Sequence, residues 1–261
     1  MILILIYLEG LKKMNGEIKD NNDLKKNPKE IISFLNWRDF ISKFFENPSI
    51  SMIWGDIGVG KSTLALQLSL EILKLDLKVF YLHTKYSPID LLLKRVLKEE
   101  VDLSDSNFLL WHSPSFYRQK EIVLEWSLQI QQLLESFKQN KVGLIIVDEI
   151  ATLYLLELGK ELKNTQLNQD LTLILATLKK IQTEYQIPVV LLNTFSIKQN
   201  EKNISQVIPH GGKIIDYWTS FEVKIDRTPQ MSRMKFSITK NKANLTLPQN
   251  WTWILSEKGF T

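Results

Sequence analysis

Short runs of branched apolar residues alternate along this chain with longer stretches whose apolar positions recur at helical spacing. The runs predict buried strands at Ser49–Trp54, Val142–Val147 and Pro188–Asn193, and further strands at Lys78–His83 and Asn107–Trp111. Between them, Ser62–Lys74 predicts a helix with Leu64, Leu68 and Ile72 on one face. Further helices are predicted from Pro88 to about Glu100, Gln119 to Gln139 and Asn168 to Tyr185. Strands that alternate with helices imply a mostly parallel sheet with helices on both faces. After residue 215 the period changes to two. Phe221, Val223 and Ile225, then Met234, Phe236 and Ile238, alternate with polar residues across Thr228-Pro229. That pattern predicts an antiparallel hairpin added to the sheet, and Trp251–Leu255 predicts a last strand.

Ahead of the first strand, Pro28–Phe45 has helical spacing, and Asn47-Pro48 ends it. Residues 9–30 are polar and rich in Lys, Asn and Asp, as a flexible linker is. The expected organisation is therefore a flexible segment over 1–30 and one α/β domain over 31–261. Met1–Leu8 is apolar, but it is too short to span a bilayer and has no charged region or cleavage site of a signal peptide. It reads as an extra strand, as residues ahead of a start at Met14, or as a peripheral membrane or partner-docking segment. A cytoplasmic protein with no membrane partner is expected.

Composition narrows the chemistry. The chain has 261 residues with 44% hydrophobic and 24% charged content, which is ordinary for a folded soluble domain. It has no cysteine, which excludes disulfides, thiolate metal sites and cysteine nucleophiles. Its three histidines are few for a protein-built zinc site. The net charge of +4 permits contact with nucleic acid without requiring it.

The candidate chemistry sits between the first strand and the helix after it. Gly55-Asp56-Ile57-Gly58-Val59-Gly60-Lys61-Ser62-Thr63 fits the phosphate-loop pattern Gly-x4-Gly-Lys-[Ser/Thr]. Glycines let the backbone approach an anion, and the loop N–H groups cradle its phosphates. Lys61 can reach the β- and γ-phosphates, and the Ser62 hydroxyl can ligate Mg²⁺. The following helix offers its positive dipole end. A second signal is Leu144-Ile145-Ile146-Val147-Asp148, a buried strand that ends in a carboxylate suited to holding Mg²⁺.

Taken together, the order and spacing resemble the RecA superfamily of recombinases, and within it the archaeal RadB-type paralogues. The resemblance covers about residues 50–258. It rests on GDIGVGKST, VFYLHT, LIIVDEIATLY, IPVVLLN, Gly211-Gly212 with Asp216-Tyr217-Trp218, and Lys240-Asn241-Lys242. It implies a P-loop NTPase with a RecA-like core. Gly55, Asp56, Ile57, Gly58, Val59, Gly60, Lys61, Ser62 and Thr63 would bind ATP, with Mg²⁺ on Ser62 and Asp148. Phe195–Pro209 would be a mobile loop that meets single-stranded DNA. Lys240 and Lys242 would cap the ATP of a neighbouring subunit, which implies self-association or pairing with a recombinase.

Three positions depart from the family. Its water-activating glutamate falls at Lys85, its phosphate-sensing glutamine at Thr194, and the residue after Asp148 is Glu149 where Ser or Thr is usual. Two readings follow. Either catalysis is crippled and Lys85 neutralises bound phosphate, or Glu149 serves as the base alongside Lys61 in a weak DNA-dependent ATPase. Lys224, Arg227, Arg233, Lys235, Lys240 and Lys242, with Asp226 the one acid among them, form a candidate DNA patch or a solvated face. His210 could touch phosphate, although a loop histidine is more often simply exposed. The expected function is an accessory, ATP-binding protein of DNA recombination and repair that binds single-stranded DNA or a recombinase. The alternative is a nucleotide-gated scaffold that binds no DNA.

Overall fold

The computed structural model describes residues 35–86, 89–97, 107–135, 141–160, 164–199 and 205–261. The expectations for Met1–Leu8 and for the linker over 9–30 lie outside these residues. Helix α1, Trp37–Glu46, starts where the Asn36 side chain accepts a hydrogen bond from the Asp39 amide, and it ends at Asn47 before Pro48. Strand β1, Ile50–Gly55, is buried throughout and runs into the glycine loop. Helix α2 is Lys61–Leu73 and β2 is Lys78–His83. Helix α3, Asp90–Leu97, and β3, Phe108–His112, follow. Helix α4, Phe116–Glu135, leads to β4, Val142–Asp148, which is buried at every position. Helices α5, Thr152–Glu157, and α6, Asn164–Tyr185, precede β5, Val189–Asn193.

In chain order the rest is β6 (Phe195–Gln199), β7 (Ser205–Pro209), α7 (Gly212–Trp218), β8 (Phe221–Arg227), β9 (Arg233–Asn241), β10 (Asn250–Ser256) and β11 (Gly259–Phe260). Nine strands form one sheet in the order β11-β10-β9-β8-β1-β5-β4-β2-β3. The six from β8 to β3 run parallel, and β9, β10 and β11 are antiparallel additions. The α/β expectation holds, with one refinement. The first strand of the hairpin, β8, is itself a parallel neighbour of β1, so only its second strand begins the antiparallel edge. The segment Phe195–Pro209, expected as a mobile loop, contains β6 and β7 paired as a separate antiparallel ribbon.

Two cores cover the sheet. Alternate residues of the central strands face opposite ways, so Val79, Tyr81, Leu144 and Ile146 pack with α2 on one side. Phe80, Leu82, Ile145 and Val147 pack with α4 and α6 on the other. The first side extends under α1 as an aromatic cluster in which Phe236 stacks on Trp251 at 5.3 Å and Phe40 meets Trp253 edge-on at 5.2 Å. The Trp253 indole N–H donates to the Leu35 carbonyl, which fixes α1 over the antiparallel edge. That edge in turn carries β11 to the glycine loop.

Candidate nucleotide-binding site

In a parallel sheet the C-terminal strand ends gather on one side, and the candidate residues lie there. Gly55 ends β1 with its Cα against the Ile225 carbonyl, where a side chain would collide. Gly60 has φ +92°, and a Cβ there would lie 2.6 Å from the Phe260 ring. Phe260 is held in place by Gln67 of α2. The Gln67 side chain donates to the Phe260 carbonyl and accepts from its amide, at 3.2 and 2.8 Å. The C-terminal strand therefore braces the loop. On the outer side Arg227 donates to Asp56 Oδ2 at 2.8 Å and to the Ile57 carbonyl at 2.6 Å. Arg227, grouped above with a DNA patch, thus clamps the loop.

Lys61 is buried at the start of α2, and its Nζ donates to the Gly55 and Asp56 carbonyls at 3.0 and 2.8 Å. Burial lowers its pKa, and the Glu149 carboxylate 3.6 Å away opposes that shift. Ser62 Oγ donates to Asp148 Oδ2 at 2.7 Å, so the two expected metal oxygens meet. Asp148 is fully buried at the end of β4 and also accepts from the Tyr81 hydroxyl at 2.8 Å. Burial pushes its pKa up, but His83, Lys85 and Ser62 outweigh this and hold it below the usual carboxylate range. For Tyr81, burial and the neighbouring Asp148 charge push the phenol well above its ordinary value.

Lys85 enters this group because β2 pairs with β4 so that His83 lies beside Asp148. The Thr84 amide donates to the Asp148 carbonyl at 2.7 Å, and the Thr84 hydroxyl lies 2.7 Å from both the amide N and the carbonyl O of Glu149. One residue later the Lys85 Nζ reaches 2.7 Å from Asp148 Oδ1, 3.0 Å from Ser62 Oγ and 3.4 Å from Glu149 Oε1. Burial disfavours its charge, yet the two carboxylates overcome that and raise its pKa. Glu149 Oε2 accepts from the Thr152 hydroxyl at 2.8 Å, which turns Oε1 toward both lysines.

The position of the missing glutamine is also filled. The Thr194 hydroxyl and His210 Nδ1 are 3.0 Å apart, and Asn193 Nδ2 donates to the His210 carbonyl at 2.9 Å. His210, expected to be exposed, is half-buried. Burial lowers its pKa, while the Glu149 charge opposes the shift. Lys61, Ser62, Lys85, Glu149, Thr194 and His210 line the polar end of a cleft of about 700 Å³, with Leu92, Leu155, Leu156 and Leu255 elsewhere on its wall. That volume suits a nucleotide.

Mg²⁺ demands oxygens at about 2.0–2.1 Å in an octahedral shell. Ser62 and Asp148 have the chemistry for it, but the Lys85 ammonium already lies 2.7 Å from Asp148 Oδ1 and 3.0 Å from Ser62 Oγ. With Lys85 so placed, the residues do not fit a metal. Among the described residues, no group of three His, Cys, Asp or Glu forms a metal centre elsewhere.

Lys240 and Lys242 are not part of this constellation. Lys240 pairs with Glu222 across the β8–β9 ladder, and the neighbouring Phe221 pairs with Ser51 of β1, at the sheet end opposite the loop. Its Nζ donates to the Asp216 carbonyl and carboxylate and lies 3.7 Å from Glu222. Reaching a neighbour's nucleotide would require these contacts to break. Lys242 is exposed beside it. Lys224 is likewise engaged, 2.9 Å from Asp226 and over the Trp54 ring. The side chains of Lys198 and Lys202 lie outside the described set.

Sequence reasoning missed Tyr81, Arg227, Gln67 and Phe260. Tyr81 reads as one more apolar strand residue, and the other three act across long sequence separations. A family profile described as AAA domain matches residues 33–196. A protein of Methanococcus maripaludis named DNA repair and recombination protein RadB is 28% identical over 190 residues, covering 72% of this chain and 81% of that one. The protein of the same name from Methanobrevibacter smithii is 24% identical over 198 residues, covering 76% and 81%. That from Methanocaldococcus jannaschii is 27% identical over 183 residues, covering 70% and 80%. The profile spans well over half of this chain and takes in both the phosphate loop and the strand-end Asp148. The chain belongs to the AAA-domain family and is a RecA-superfamily protein similar to the RadB-type recombinase paralogues.

Proposed function

We propose that this chain is an ATP-binding, RecA-like accessory protein of DNA recombination and repair that hydrolyses ATP slowly. Its relatives carry DNA repair and recombination in their names, and P-loop proteins of this kind use nucleotides, generally with Mg²⁺. The observation that carries the slow hydrolysis is the Lys85 ammonium, 2.7 Å from Asp148 and 3.4 Å from Glu149. It stands where the resemblance puts the water-activating glutamate. It also pairs with Glu149, the one other carboxylate suited to that work, which Lys61 flanks from the other side. With Oε1 facing both lysines and Oε2 on the Thr152 hydroxyl, neither Glu149 oxygen is left free to orient an attacking water. Lys61, the loop amides and the α2 N-terminus remain to bind the triphosphate.

Single-stranded DNA is the proposed ligand of the β6–β7 ribbon, which follows β5 directly and leads into His210 and Gly211. ATP in the cleft would bear on Thr194 and His210, and through them on both ends of the ribbon. A scaffold without direct DNA contact is the second reading. It is favoured by Lys224, Arg227 and Lys240, half of the candidate basic patch, being spent on contacts within the chain.

The test is binding of labelled single strands with ATP present, across a salt series. Affinity that falls steeply with salt supports the DNA-binding reading. Capture of a recombinase unaffected by salt, with no strand binding at any salt, supports the scaffold.

A further inference from the structure

We propose that the Lys85 ammonium takes the place of the protein-bound Mg²⁺, so that this site binds a nucleoside triphosphate without a divalent cation. The inference rests on the nucleotide reading above and adds to it how the site meets the charge of the phosphates.

Three oxygens surround Lys85 Nζ: Asp148 Oδ1 at 2.7 Å, Ser62 Oγ at 3.0 Å and Glu149 Oε1 at 3.4 Å. The contact with Ser62 is a hydrogen bond, and the two carboxylate oxygens form ion pairs with the ammonium. Two of the three are the hydroxyl after the loop lysine and the strand-end carboxylate. These are the oxygens a phosphate-bound metal draws on in P-loop proteins. The cation is thus delivered by the chain from the end of β2 onto the metal's own ligands.

The arrangement is built, not incidental. The β2–β4 register places His83 beside Asp148, and Thr84 ties the next residue to both backbone polar groups of Glu149. Lys85 leaves this fixed point with a short span to cover, and its side chain is only 26% exposed. Charge gives the same answer. Asp148 and Glu149 carry two negative charges, and Lys61 and Lys85 carry two positive ones within 3.6 Å of them. A divalent cation on Ser62 and Asp148 would sit against the Lys85 ammonium, and one of the two would have to leave. With Lys85 in place, both lysines line the cleft that the phosphates would enter, and the metal is not needed.

The experiment is the affinity of the full chain for ATP, read by calorimetry in excess Mg²⁺ and again in excess EDTA. For the native protein the two dissociation constants should agree within about threefold. In Lys85→Ala, which vacates the position and frees Ser62 and Asp148, binding in EDTA should become at least about tenfold weaker than in Mg²⁺. Lys85→Gln, which keeps most of the side chain's bulk, serves if the alanine variant does not fold. Native binding that is itself about tenfold or more weaker in EDTA overturns the inference, because Lys85 then moves aside for a metal. ATP binding in neither medium, with Lys61→Ala indistinguishable from the native protein, overturns the nucleotide reading and this inference with it.

Discussion

Replacing Lys85 by Met in the nucleotide-free protein should cost stability, and the size can be worked from its surroundings. Asp148 is fully buried and Glu149 is 6% exposed, so the two carboxylates depend on the protein for their counter-charge. Removing one partner of a buried pair typically costs about 3–5 kcal/mol, because a charge is left without compensation. Here the loss is smaller. Ser62 and Tyr81 still donate to Asp148 at 2.7 and 2.8 Å, and hydrogen bonds to a charged group are each worth about 1.5–3 kcal/mol. Glu149 keeps Thr152 and Lys61. Water also reaches the Lys85 head group in part, which weakens the native pair. The expected loss is about 2 kcal/mol, which at a urea slope near 3 kcal/mol/M moves the midpoint down by about 0.7 M. Urea unfolding in EDTA measures it. A double-mutant cycle with Asp148→Asn should return a coupling of about 1–2 kcal/mol between the two positions. A loss under about 0.5 kcal/mol, with no coupling, is the value of a solvated surface lysine and would refute the reasoning.

Gly60→Ala should destabilise by about 2–3 kcal/mol and weaken ATP binding, since a left-handed residue with a side chain is strained and its Cβ would press on Phe260; urea unfolding and calorimetry measure both effects. Arg227→Ala should leave the unfolding midpoint nearly unchanged, because the pair with Asp56 is exposed, yet weaken ATP several-fold by loosening the loop. His210 should make stability fall with acidification. Its folded pKa lies below the ordinary 6.5, so as pH drops from about 7.5 to about 5.5 the unfolded chain takes up the proton first. The stabilising effect is complete above the unfolded pKa and lost below it, and His210→Asn should flatten that slope in urea unfolding.

Much of this architecture was legible in the sequence because its signals are local. Val142–Val147 is a strand in any reading, and Gly55–Thr63 carries its chemistry within nine consecutive residues. The alternation at Phe221–Ile225 marked a strand facing a core, but not that this strand would lie parallel to β1, since period two is the same in both kinds of ladder. The substitution at Lys85 was legible as a departure, whereas its destination was not. That depended on the register of β2 against β4, which no single strand encodes. Arg227 reaches Asp56 across 171 positions, and Gln67 grips Phe260 across 193, so both read as ordinary surface residues until the sheet brings them together. Lys240 illustrates the reverse case: its place in a motif suggested an intersubunit role, while Asp216 and Glu222 supply partners within the chain. The β6–β7 ribbon lacked a tight-turn signal, and its polar sequence reads as a loop.

Slow hydrolysis by an intact nucleotide site is the central claim, and ATP turnover with and without single-stranded DNA, in native protein and in Glu149→Gln, tests it most directly. ATP should bind, turnover should stay slow, and Glu149→Gln should change it by less than about threefold, because that carboxylate is already paired with lysine. DNA-stimulated turnover that falls about 100-fold or more in Glu149→Gln would contradict it and make Glu149 the working base.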